Sequence, residues 1–186
     1  MKLITIARSP RGGAALRAFD AFSRSNAGVL GVAESGQAWG VLAGGFGVNS
    51  NQAYALGAGT NVAVVEASAA DVDVTVDMFN HTGETGMTLR AVDANNFLLM
   101  FILSGVLYLF KREAGAFSQL ASVAHPLANF ASATMNVRAV GSTVSAYMGG
   151  QHRLTTTVSQ FATATRHGLY LNNINARLDN FRVEAL

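Results

Sequence analysis

The chain of 186 residues has no cysteine and only two prolines. Without thiols there are no disulfides, no thiolate nucleophile and no zinc site built on Cys. The compartment is left open by this. Charge is scarce as well. Asp, Glu, Lys and Arg make up 13% of the residues, about half the ~25% of an ordinary soluble domain. The net charge is +2, and no stripe interleaves basic with aromatic residues as single-stranded nucleic acid requires. Nucleic acid is therefore not an expected partner. No apolar run reaches the roughly 20 residues needed to span a bilayer. The nearest candidate, Phe97 to Phe110, is broken by Ser104-Gly105 and reads as a buried hairpin. Neither membrane insertion nor a signal peptide is expected.

Catalytic signatures are missing too. None of His81, His125, His152 and His167 is spaced with an acid for a helical zinc motif, and singly they read as loop or surface residues. No Gly-x-Ser-x-Gly elbow occurs. Glycoside hydrolysis needs two carboxylates flanking one bond, and no strand carries Glu-x-Asp or Glu-x-x-x-Glu. Asp71, Asp73 and Asp77 share a face beside a valine row, which reads as a solvated strand face. The chain is not expected to be an enzyme.

What is present is the material of strands. Hydrophobic residues reach 50%, enough for one sizeable core. Nineteen glycines suit many tight turns. Val72, Val74 and Val76 alternate with polar residues, giving one buried and one wet face. Gly141-Ser142 separates two runs as a type II′ turn would, with glycine first. That register sets Val137 opposite Ala146 and Met135 opposite Met148. It gathers Asn136, Arg138, Thr143, Ser145 and Tyr147 on the other face. A second hairpin turns at Ser104-Gly105, and both of its faces are apolar. One carries Met100, Ile102, Leu107 and Leu109; the other carries Leu99, Phe101, Leu103, Val106, Tyr108 and Phe110. The latter six are expected to form an interface with a second layer, whether another subunit, the N-terminal arm or a ligand, because an antiparallel sheet usually shows water on one side. Residues 1–17, broken by Ser9-Pro10-Arg11-Gly12-Gly13, read as an N-terminal arm or a disordered terminus. Residues 18–186 read as one all-β antiparallel two-sheet sandwich.

Three segments carry a resemblance. They are Phe19–Arg24 with Glu34–Trp39, Val92–Phe97 with Leu107–Arg112, and Ala176–Val183. In this order they are similar to a concanavalin A-like (laminin G-like) jelly roll of the kind found in tailed-bacteriophage virion proteins. The resemblance covers about Phe19 to Glu184. It implies a virion protein: a decoration or tail-accessory module, homo-oligomeric, docking on other virion proteins through its apolar face and arm. The alternative is a carbohydrate-binding, lectin-like module for a host-surface glycan. Tyr108 and Tyr147, outward in the registers above, are candidate sugar platforms, with Arg138 on the face of Tyr147. In this fold the first and last strands are neighbours, so Asp20 and Asp179 are candidates to hold a structural Ca²⁺. Hydrogen bonding between the strand ends, or to Arg24, is the competing reading. Gly149-Gly150 stands where relatives often have Asp-Gly, which weakens a turn and an ion site. Phe101 stands where they often have a polar residue, which counts against sugar binding on that face.

Overall fold

The computed structural model describes residues 14–80, 83–126 and 132–186. Their regular structure is all strand. First come β1 (Ala15–Asp20), β2 (Gly40–Ala43), β3 (Phe46–Asn49), β4 (Gln52–Ala55) and β5 (Asn61–Glu66). Then follow β6 (Val72–Phe79), β7 (Thr85–Asp93), β8 (Asn96–Leu103), β9 (Val106–Glu113) and β10 (Ala116–Ala124). The chain ends with β11 (Ala133–Val140), β12 (Thr143–Met148), β13 (Gln151–Thr157), β14 (Arg166–Leu171) and β15 (Arg177–Ala185).

The strands form two antiparallel sheets that pack as a sandwich. The first runs β13-β12-β11-β6-β15-β4-β3, with β1 also on β15. The second runs β10-β9-β8-β7-β14-β5-β2. Between them Val72, Val74, Val76 and Met78 of β6 join Met87, Leu89, Met100, Ile102, Leu107 and Leu109 of the second sheet, all at 0% exposure. Each such side chain contributes about 1.5–3 kcal/mol by leaving water. The alternation on β6 is therefore what fixes the first sheet's inner face.

Both hairpins adopt the registers that the sequence dictates. Val137 pairs with Ala146 and Met135 with Met148, while Phe101 pairs with Tyr108 and Leu99 with Phe110. Gly141 has φ 52, the positive first angle of a II′ turn. Met100, Ile102, Leu107 and Leu109 face the inter-sheet core, so Leu99, Phe101, Leu103, Val106, Tyr108 and Phe110 face outward.

The sequence reading needs two corrections. The first strand begins at Ala15, inside the segment read as an arm, and pairs with β15 from Ala15↔Ala185 to Asp20↔Phe181. Ala15, Leu16 and Arg17 thus belong to the sandwich, while residues 1–13 lie outside the described residues. His167 is not a surface residue. It lies on β14 at 0% exposure. Its Nδ1 accepts the Arg90 backbone N–H at 3.3 Å, which leaves Nε2–H to donate to the Ala69 carbonyl at 3.0 Å. Burial, aided by the Arg90 charge, lowers its pKa to about 4.

Candidate functional site

The outer face of the first sheet is polar and ordered in rows. One row reads Glu184, Asp73, Arg138, Ser145 and Thr155 across β15, β6, β11, β12 and β13. The next reads Arg182, Thr75, Asn136, Tyr147 and His152 across the same strands. Toward β15 these groups satisfy one another. Arg182 pairs with Glu184 at 2.6 Å. Asn136 donates its amide to Asp73 and to Thr75 Oγ1. Asp77 accepts from Thr134 at 2.5 Å and from Asn180 at 3.0 Å. This half is a solvated strand face, as the alternation around Asp73 and Asp77 implies.

The half over β11–β13 is different. Tyr147 and His152 form a T-shaped ring pair with centroids 5.4 Å apart. His152 Nε2 and Thr155 Oγ1 are 2.8 Å apart, as are Ser145 Oγ and Thr155 Oγ1. Arg138 stands on the same face, opposite Ser145 and diagonal to Tyr147. Among the described residues its guanidinium has no hydrogen-bond or ion-pair partner. Asp73, directly across β6, is engaged by Asn136 instead. Aromatic faces, hydroxyls and an unpaired fork of N–H donors thus share one open surface.

The sequence named Tyr147 and Arg138, and the structure brings them together. It missed His152. The Gly149-Gly150 turn could have given it, since a two-residue loop there sets Tyr147 opposite His152. The bulge that follows, between Ala146 and Tyr147 in the pairing with β13, left no such signal.

Tyr108, the other sugar candidate, is on the opposite sheet. On that outer face Phe101 touches the rings of Tyr108, Phe110 and Tyr170 at centroid distances of 5.4, 5.4 and 5.6 Å. Tyr170 reaches Phe101 because the strand between them carries Gly86. These contacts bury Phe101 and Leu99 to 4% and 1% exposure within the chain itself. Leu103, Val106, Tyr108 and Phe110 remain half-buried. So the six-residue face read as an interface is in part a second small core, and its outward remainder is the β9 side.

Asp20 and Asp179 are near enough for their charges to interact, but the Asp20 carboxylate is filled. Oδ1 accepts Arg24 at 2.8 Å and the Phe22 N–H at 2.9 Å; Oδ2 accepts Arg24 and the Trp39 indole, both at 2.7 Å. Donors occupy the oxygens that a hard cation would need. Among the described residues no group of three or more His, Cys, Asp or Glu could hold a metal ion. The structure favours the Arg24 reading over Ca²⁺. Burial, with Asp77 and Asp20, raises the Asp179 pKa to about 6 against the Asn180 backbone N–H that its Oδ1 accepts at 2.7 Å.

No family model and no curated protein matches the sequence. Solved structures do match the fold. The carbohydrate binding module CBM66 from Bacillus subtilis is 19% identical with a TM-score of 0.70, over 79% of this chain and 95% of that one. Domain 4 of AbnA, an extracellular arabinanase from Geobacillus stearothermophilus in complex with arabinotriose, is 10% identical with a TM-score of 0.57, over 92% and 93%. The galectin LEC-6 from Caenorhabditis elegans is 11% identical with a TM-score of 0.53, over 64% and 86%. At such identities the likeness establishes the fold, a galectin-like jelly-roll sandwich of two antiparallel sheets.

Proposed function

We propose that the chain is a non-catalytic carbohydrate-binding module whose ligand lies over β11–β13 on the polar face of the first sheet. One observation carries this reading. On that patch the Tyr147–His152 ring pair and the Arg138 fork stand exposed or half-exposed beside hydroxyls, and among the described residues no polar group pairs with Arg138. Sugars present C–H faces to rings and hydroxyls to forks, so the patch offers both complements. The likeness of the sandwich to structures described as a carbohydrate binding module and a galectin supports it. A glycan array probed with a multimerised form of the chain tests it, because a single ring contact is worth only about 1 kcal/mol and avidity amplifies weak sites. Tyr147→Ala should lose the signal at an unchanged unfolding midpoint. An array without hits overturns the proposal.

A second reading rests on the apolar strip of Leu103, Val106, Tyr108 and Phe110 on the other sheet. Half-exposed aromatic and aliphatic side chains in one row favour self-association or docking on a larger particle, such as a virion. Binding and assembly would then use opposite faces. Phe110→Asp should leave the sandwich folded and lower the mass by light scattering. A wild-type chain that is already monomeric removes self-association and leaves only docking on another protein.

A further inference from the structure

No aspartate or glutamate stands between Glu113 and Asp179, whereas Arg138, Arg153, Arg166 and Arg177 all do. The fold places two of these arginines on the three strands that carry the candidate site. β11, β12 and β13 hold Arg138 and Arg153 and no acid at all. Arg153 sits at the bulge next to His152. Among the described residues its guanidinium donates only to Gln151, at 3.0 Å, and its buried Nε has no hydrogen-bond partner. The acid opposite β11, Asp73, is engaged by Asn136, and beyond it Glu184 is paired with Arg182. Among the described residues, two guanidinium groups without an ion pair thus lie on the strands that carry the Tyr147–His152 rings, Arg138 on their face and Arg153 next in sequence to His152. A guanidinium fork matches an oxyanion in geometry and charge, and unpaired cations beside a ring platform select an anionic sugar over a neutral one.

Resting on the carbohydrate reading, we propose that the ligand is an acidic saccharide, whose carboxylate or sulfate is taken by Arg138 with Arg153 while its ring lies against Tyr147 and His152. Affinity electrophoresis of the full chain tests this. The probes are polygalacturonate and its carboxyl-reduced form, dextran sulfate and dextran, and duplex DNA. Both acidic polymers, or one of them, should retard the wild-type chain, with retardation falling as salt rises. The neutral partners should retard it at least tenfold less. Arg138→Gln with Arg153→Gln should abolish the difference at an unchanged unfolding midpoint, and Arg138→Lys should keep part of it. If the double variant fails to fold, competition by inorganic sulfate on the wild-type chain replaces it, and a lack of competition overturns the inference. Equal retardation by acidic and neutral polymers overturns the inference and leaves the carbohydrate reading standing. Duplex DNA binding as tightly as the acidic polymers overturns the saccharide part. Failure of every sugar, on the array and in the gel, overturns both.

Discussion

Asp20 is wholly buried and holds four N–H donors on two oxygens. Removing it leaves the Trp39 indole and the Arg24 guanidinium without their acceptor. Asp20→Ala should therefore cost about 3 kcal/mol, the lower end for breaking a buried pair, since Arg24 is 26% exposed. Adding Ca²⁺ or a chelator should leave the unfolding midpoint where it is; a Ca²⁺-dependent rise would return the ion to this site. His167 and Asp179 give stability opposite slopes with pH. The His167 pKa is depressed from 6.5 to about 4 by burial. Its contribution is complete above pH 6.5 and is lost as pH falls through about 4. The Asp179 pKa is raised from 3.8 to about 6. Its contribution is complete below 3.8 and is lost as pH rises through about 6. Asp179→Asn should thus stabilise the chain above pH 6, and His167→Gln should flatten the acid limb. Chemical denaturation between pH 4 and 7 reads both effects.

At the scale of elements, the second sheet depends on two close approaches. A Cβ at Gly168 would lie 1.9 Å from the Ala63 carbonyl oxygen, and one at Gly86 would lie 2.1 Å from that of Met100. Neither neighbour is a flexible side chain, so Gly168→Ala should cost on the order of 3 kcal/mol as overpacking, read as a shift in the denaturant midpoint. Gly86 also lets Tyr170 and Phe101 meet over its strand. At the first strand, Ala15, Leu16, Ala18, Phe19 and Asp20 pair with β15, with a bulge at Arg17. Deleting residues 1–13 should preserve cooperative unfolding at the wild-type midpoint, whereas deleting 1–17 should lower it. An equal loss in both truncations would show that the segment before Ala15 contributes to the fold. These elements were unevenly legible in advance. The β8–β9 and β11–β12 hairpins could be registered by arithmetic, since a two-residue turn is local and a one-residue slip would exchange the two faces. The start of β1 could not, because Ala15 and Leu16 are exposed and carry no apolar period.

Over the whole molecule, the two sheets turn unlike faces outward. The first is hydrogen-bonded and polar, and the second is a strip of rings and aliphatic side chains. Substituting one face should leave the other's property intact. Tyr147→Ala should spare the oligomeric mass, and Phe110→Asp should spare glycan retention. Cross-effects in light scattering and affinity electrophoresis would mean that the two faces form one site.

The sequence by itself determined the strand class, the two hairpin registers and which residues share a face, because side-chain period and turn chemistry act locally; the β8–β9 hairpin is apolar on both faces, so packing decided which of them meets the core. It also placed Tyr147 and Arg138 on one polar face. Only the tertiary structure decided which strands from distant parts of the chain become neighbours. The insertion of β14 between β5 and β7, and of β15 between β6 and the strands β1 and β4, depends on long-range pairing that no local pattern encodes. That pairing put Tyr108 on the sheet opposite Tyr147. It let the Trp39 indole and Arg24 fill Asp20, and it buried His167 against Ala69 and Arg90. Burial and partnership are properties of the packed whole, so the charge and availability of each acid, histidine and arginine were settled there.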